Sequence, residues 1–224
     1  MSDYDYLSKL IIFGDFGVGK TTLEKYIERN NRRDSFRDRI SDFDKKIDEY
    51  RILKENSKFF LRRLYYSLRI KQEIEKKNRH ILYFESDYLM RSTVGVSIRW
   101  IIVEIREIRI KLLIWVLGYQ ESFRRFRKMY VRGSSGAILL YDITNASSLN
   151  RIPEWREMIA EFCGEIPIVL IGNKVDLEEQ RAISKERGIE VQKTNNLSSF
   201  MEISAETGEN VEKMFELVGE LILN

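Results

Sequence analysis

The chain is poor in the residues that staple or punctuate a protein. Among its 224 residues it has a single cysteine, Cys163, and a single histidine, His80. One thiol cannot make an intramolecular disulfide framework, and it suits a reducing compartment. The residues near it in sequence, Trp155, Met158, Ile159 and Phe162, read as one helix face, which predicts a packed thiol and not a reactive one. A lone histidine excludes a multi-histidine metal site, and nothing near it suggests a Ser-His-Asp triad. No apolar run reaches the roughly 20 residues that cross a bilayer as a helix. The opening Met1-Ser2-Asp3-Tyr4 is acidic and has no apolar core, unlike a signal peptide. The end, Leu221-Ile222-Leu223-Asn224, has no cysteine for prenylation, and Ser2 stands where N-myristoylation needs glycine. These absences predict a cytoplasmic protein without a transmembrane segment. Any peripheral membrane contact would then need other means. The net charge of +3 is too small to point to nucleic acid.

What is present is ordinary globular chemistry, 43% hydrophobic and 33% charged. The length suits one α/β domain with residues left over for an insertion. Short apolar runs alternate with amphipathic stretches, as in a βαβ fold. Strands are predicted over 7–13, 96–105, 108–116, 136–141, 166–171 and 200–203. The second and third form a hairpin whose turn, Arg106-Glu107, lacks the usual Gly or Asn. A helix is expected from about Lys20. A closing helix over 209–223 carries Val211, Met214, Phe215, Val218 and Leu221 on one face.

One region breaks this rhythm. From Thr21 to Val94 there is neither glycine nor proline, the strongest local breakers. Phe36, Ile40, Phe43, Ile47 and Tyr50 repeat at spacings of four and three, and Phe60, Leu64, Leu68 and Ile74 continue roughly in kind. That is amphipathic helix near coiled-coil spacing, and Asn56-Ser57 could fold it into a hairpin. Between Arg29 and His80 stand 17 Lys and Arg against 9 Asp and Glu. The expected organisation is a main domain of residues 1–30 and 81–224 with a helical insertion, 31–80. Three roles for the insertion stay open: a solvated hairpin packed for stability, a coiled-coil surface for self-association or a partner, and contact with anionic lipid. The last would draw on about 1 kcal/mol per basic residue near the membrane.

Gly14-Asp15-Phe16-Gly17-Val18-Gly19-Lys20-Thr21 matches the P-loop pattern and sits where that motif must, between a strand and a helix. Its glycines let backbone N–H groups turn inward around phosphates, and the helix N-terminus adds partial positive charge. Lys20 is expected on the outer phosphates and Thr21 on Mg²⁺, with Thr22 following in the first helical turn. Asn173-Lys174-Val175-Asp176 follows a predicted strand. In guanine-nucleotide proteins this pattern reads the base, because a carboxylate accepts both the N1 and N2 hydrogens that guanine offers and adenine does not. Ser204, Ala205 and Glu206 follow the last strand, where such proteins place a loop whose backbone meets the guanine oxygen; the usual third residue is Lys.

Taken with Tyr4-Asp5-Tyr6-Leu7, Ser92-Thr93-Val94-Gly95-Val96, Lys111-Leu112-Leu113-Ile114-Trp115, Gln120-Glu121-Ser122-Phe123, Tyr141-Asp142-Ile143-Thr144 and Glu202-Ile203-Ser204-Ala205, these motifs resemble the Rab small GTPases. The resemblance covers 4–30 and 83–222. It implies a P-loop small-GTPase fold with a six-stranded, mostly parallel sheet flanked by helices, binding GTP/GDP with Mg²⁺. Thr93 would be the switch I threonine that closes on Mg²⁺ and the γ-phosphate. Gln120 would orient the attacking water. Tyr83, Phe84 and Tyr88 are alternatives for stacking on the base. Ile98, Trp115 and Tyr130 would face effector proteins, with ordinary packing as the alternative reading.

The chain departs from that family where its members read Trp-Asp-Thr-Ala-Gly-Gln. Here the sequence is Trp115-Val116-Leu117-Gly118-Tyr119-Gln120. Val116, or in a shifted register Trp115, replaces the aspartate that holds Mg²⁺ through water, which should weaken metal retention. Tyr119 replaces the glycine that meets the γ-phosphate. Phe16 adds bulk that could crowd Gln120 or an arginine finger. Slow hydrolysis is expected, below the about 10⁻⁴ per second typical of unassisted Ras. Two functional classes follow: a GTP/GDP switch with weak GTP hydrolase activity, or a pseudo-GTPase scaffold working through its insertion. A P-loop kinase or ATPase is disfavoured by Asn173 and Asp176.

Overall fold

The computed structural model describes residues 4–55, 68–73, 96–117 and 130–224. The chain divides into two compact units, one of Met1–Glu28 with Ser92–Asn224 and one of Arg29–Arg91.

The first unit is built on a six-stranded sheet in the order β2-β3-β1-β4-β5-β6. Its strands are β1 (Tyr6–Gly14), β2 (Val96–Ile105), β3 (Ile108–Leu117), β4 (Gly136–Asp142), β5 (Ile168–Asn173) and β6 (Ser199–Ile203). Only the β2–β3 pair is antiparallel. Every residue of β4 and β5 is buried, which is why these strands read as unbroken apolar runs and not as alternation. The expected hairpin is present. Ile105 pairs with Ile108, and Arg106 and Glu107 both hold positive φ, 51° and 68°. The chain therefore makes a two-residue mirror-image turn with side chains that ordinarily avoid it.

Helix α1 (Lys20–Glu55) opens at the P-loop, α2 is Ile152–Cys163, α3 is Lys185–Thr194 and α4 is Val211–Leu223. One face of the sheet packs Leu10, Ile12, Ile110, Leu112, Ile114 and Val116 with Leu23 and Ile27 of α1 and Met214, Phe215 and Val218 of α4. The other packs Ile11, Phe13, Leu139 and Tyr141 with Trp155 and Ile159 of α2 and Val191 of α3. Pro153 sits in the first turn of α2, where a missing N–H costs nothing. Cys163, at the end of α2, is half-buried and donates to the Val131 carbonyl at 3.0 Å, so the expected packed thiol is found.

Helix α1 runs 36 residues and passes residue 30 without a break, as the absence of glycine and proline allows. From Arg29 onward it belongs to the second unit. There Ile47 is buried, and a helical stretch, 68–73, brings the Arg69 guanidinium 5.8 Å from the centre of the Tyr50 ring. Asn56-Ser57, the expected breaker, lies outside the described residues.

Candidate nucleotide-binding site

The polar residues that matter lie at the carboxyl ends of the parallel strands: Gly14 on β1, Asp142 on β4, Asn173 on β5 and Ser204 just past β6. That edge is where open α/β sheets bind ligands. The P-loop connects β1 to α1. Gly17 and Gly19 hold φ of 81° and 100°, conformations that L side chains resist. A Cβ at Gly19 would also collide with the Asn173 side-chain amide. Val18 is buried and anchors the loop from below, while Phe16 at its tip is 87% exposed. The Lys20 ammonium lies across the loop and donates to the carbonyls of Gly14 at 2.6 Å and Asp15 at 2.7 Å. Thr21, exposed, and Thr22, half-buried, form the first turn of α1, which closes its first bond from Leu23 N–H to the Gly19 carbonyl. Burial pushes the Asp15 carboxyl up, partly offset by Arg151, whose guanidinium stands 4.0 Å away.

Asn173 joins the phosphate loop to the base-side loops. It is 1% exposed. Its amide donates to the Val18 carbonyl at 2.8 Å, and its side-chain oxygen accepts from Ala205 N–H at 2.9 Å. Ser204 donates to an Asp176 carboxylate oxygen at 2.5 Å and accepts from Thr207 N–H at 3.1 Å, which fixes the carboxylate at the surface. Glu206 beside it is exposed. Lys174 takes the left-handed conformation, with φ of 76°, and its ammonium meets Asp142 at 2.5 Å. Asp142 also accepts from the Thr144 amide and hydroxyl. Motif spacing does not show this structural role of Asp142, although a carboxylate closing an apolar strand is a signal of a kind.

The β3 register separates Val116 from Trp115. Val116 pairs with Ile12 and Ser97, is 5% exposed and shares a buried cluster with Val18 and Leu23. Trp115 packs on the other face. Val116 is thus the residue on the P-loop side, and it offers a metal no oxygen. Thr21 remains as an oxygen ligand that fits Mg²⁺. Thr93, Gln120, Gly118, Tyr119 and the three aromatics proposed for stacking lie outside the described residues.

Ile98, Trp115 and Tyr130 do come together. Ile98 sits opposite Trp115 on the neighbouring strand, and the Trp115 and Tyr130 ring centres are 6.0 Å apart. Ile98 is 48% exposed, while Trp115 and Tyr130 are half-buried. The Lys9 ammonium lies 4.5 Å from the Trp115 ring. Among the described residues no helix is long and apolar enough to cross a membrane.

Comparison with known proteins agrees with this geometry. The model of the Ras family matches residues 78–224. A Ras-related protein Rab-1 from Theileria parva is 30% identical over 224 residues, covering 99% of this chain and 77% of the relative. Rab-4 from Dictyostelium discoideum is 41% identical over 124 residues, 55% of this chain and 60% of the relative. Rab-10 from Diplobatis ommata is 38% identical over 133 residues, 59% and 66%. Against these last two, the matched part is less than two thirds of the relative's length. Ras and Rab proteins bind GTP/GDP with Mg²⁺. On the strength of the family match and the Rab relatives, this chain belongs to the Ras family of small GTPases and is most like Rab.

Proposed function

We propose that the chain is a Rab-like switch that holds GTP or GDP and hydrolyses GTP slowly to GDP and phosphate. The observation that carries this reading is the Asn173 bridge. One buried side chain ties the Val18 carbonyl of the phosphate loop to the Ala205 amide of the base-side loop. Both ends of a nucleotide would then be held by one preorganised unit. In this reading the backbone amides from Asp15 to Thr21 surround the phosphates. The Lys20 ammonium neutralises charge on the outer ones. Asp176, oriented by Ser204, accepts from guanine. Thr93 and Gln120 take the switch roles that the Rab resemblance assigns them, and Ile98, Trp115 and Tyr130 form a surface for effector proteins.

Mg²⁺, when bound, supplies charge neutralisation between the phosphates. Thr21 would hold it. Val116 would not, and this favours slow turnover. The same burial of Val116 favours the second reading, a pseudo-GTPase that binds nucleotide permanently, or not at all, and acts as a scaffold through residues 31–80.

The test is to identify the nucleotide that co-purifies and then follow single-turnover GTP hydrolysis with and without Mg²⁺. Guanine nucleotide with Mg²⁺-dependent turnover, abolished by Gln120→Leu, supports the switch. Bound GTP that stays intact, or an empty protein, sinks the switch and supports the scaffold.

A further inference from the structure

Arg181 uses every donor it has. Its Nε–H donates to Glu178 Oε1 at 2.7 Å, and one terminal nitrogen donates to Glu178 Oε2 at 2.7 Å and to Glu202 Oε2 at 3.0 Å. The other terminal nitrogen donates to Glu202 Oε1 at 2.7 Å and to the Ile183 carbonyl at 2.9 Å. A guanidinium carries five N–H donors, and all of them are taken. Each carboxylate receives two bonds, the paired geometry that suits a planar guanidinium. The Arg181 and Glu202 side chains are 18% and 12% exposed, so their pair is shielded as a surface ion pair is not.

Both carboxylates belong to segments that carry base-side residues. Glu178 lies two residues past Asp176 in the 3₁₀ turn Val175–Gln180. Glu202 lies on β6, two residues before Ser204. Ser204 donates to the Asp176 carboxylate at 2.5 Å. The contacts therefore close a ring. It runs from Asp176 along the chain to Glu178, across Arg181 to Glu202, along β6 to Ser204, and back to Asp176. The turn has little stiffness of its own. Hydrogen bonds in 3₁₀ geometry are poorer than those of an α-helix. Leu177, between Asp176 and Glu178, leaves helical geometry with φ of −105° and ψ of 37°. Asp176 itself is exposed, so packing does not fix its carboxylate.

From this ring we infer that Arg181 is a positioning residue for guanine selectivity, holding the turn of Asp176 against β6 so that the carboxylate is aimed before nucleotide arrives. Hydrogen bonds weaken steeply when misaligned, so a turn released from Arg181 loses discrimination at the base. The phosphate contacts, made by a separate loop, are spared. The inference rests on the nucleotide-binding reading, in which Asp176 accepts from guanine, and adds the device that aims it.

The experiment compares guanosine and inosine diphosphates. Inosine lacks the 2-amino group and keeps the phosphates, so the ratio of the two affinities reports the Asp176 contact and not the phosphate loop. The full chain is loaded with a fluorescent GDP analogue, which each diphosphate then displaces, for native protein, Arg181→Gln and Arg181→Lys. Native protein should prefer the guanosine form by at least about tenfold, the size expected of a hydrogen bond to a charged group. Arg181→Gln should lower that preference by about fivefold. Arg181→Lys keeps the charge but loses the planar fork, and should fall between the two. A merely structural role would lower the melting temperature and weaken both diphosphates in proportion. An unchanged preference therefore overturns the inference. If Arg181→Gln does not fold, Arg181→Lys decides by the same comparison. Native protein that binds both diphosphates equally overturns the reading of Asp176 as the guanine acceptor. Native protein that does not take up the analogue overturns the nucleotide-binding reading. Both of these failures show in native protein before any variant is compared.

Discussion

The Asn173 side-chain amide donates to the Val18 carbonyl at 2.8 Å although the two residues are 155 positions apart. The bond is buried, and the same side chain also receives the Ala205 amide. Asn173→Ala would leave a buried carbonyl and a buried N–H without partners, at about 1–3 kcal/mol each. The expected outcome is a clear loss of stability in chemical denaturation and a fall in guanine-nucleotide affinity of at least about tenfold in a fluorescence titration. Unchanged affinity would mean that the two loops hold their positions without the bridge.

Val116 belongs to the core, and that gives a second expectation. Val116→Asp would put a carboxylate among Ile12, Val18 and Leu23 with no partner. Buried unpaired charge is expensive, so the nucleotide-free protein should lose about 3 kcal/mol or more of stability. Denaturant unfolding of the nucleotide-free variant checks this. Near-native stability would show that the β3 end opens to solvent and that Val116 is not fixed in the cluster.

Much of this architecture was legible in the chain, because its signals are local. The P-loop glycines announce their positive φ, and the apolar runs of β1, β4 and β5 announce their burial. The predicted bounds fall within about two residues of those observed, which is the usual fraying of such assignments. What was not legible depends on contacts distant in sequence. Whether Trp115 or Val116 faces the P-loop is set by the pairing of β3 with β1, and a slip of one residue would exchange them. The Lys174–Asp142 pair joins the ends of neighbouring strands. The sequence set the start of α1 near Lys20 and a helical insertion from residue 31, but gave the first helix no end; the structure joins the two as one helix.

The β2–β3 turn carries strain that substitution should relieve. Arg106 and Glu107 hold φ of 51° and 68°, where Asn and Gly are at home. Left-handed backbone costs a non-glycine residue about 1 kcal/mol. The pair is exposed. Arg106→Asn with Glu107→Gly should therefore raise stability by about 1 kcal/mol, less whatever glycine adds to the freedom of the unfolded chain. Thermal unfolding measures it. A net destabilisation would show that the side chains of Arg106 and Glu107 make contributions larger than the strain.

Cys163 supplies the pH dependence. Burial pushes its thiol above the ordinary range, and a backbone hydrogen bond from Ser134 and the charge of Lys9 offset part of the rise. The thiol also donates to the Val131 carbonyl at 3.0 Å, a bond that the thiolate cannot make. The sign follows from linkage. The folded pKa lies above the unfolded one, so the contribution to stability is fully present below the unfolded thiol's pKa. It is lost as pH rises through the folded value. Stability should fall in mildly alkaline solution, and Cys163→Ala should remove that part of the slope while leaving the rest of the profile in place. In the native protein at neutral pH, alkylation should be much slower than for free cysteine, since the thiolate is the reacting form. Rapid modification at neutral pH, followed by mass spectrometry, would show that the end of α2 opens readily and that the burial of this thiol is not maintained in solution.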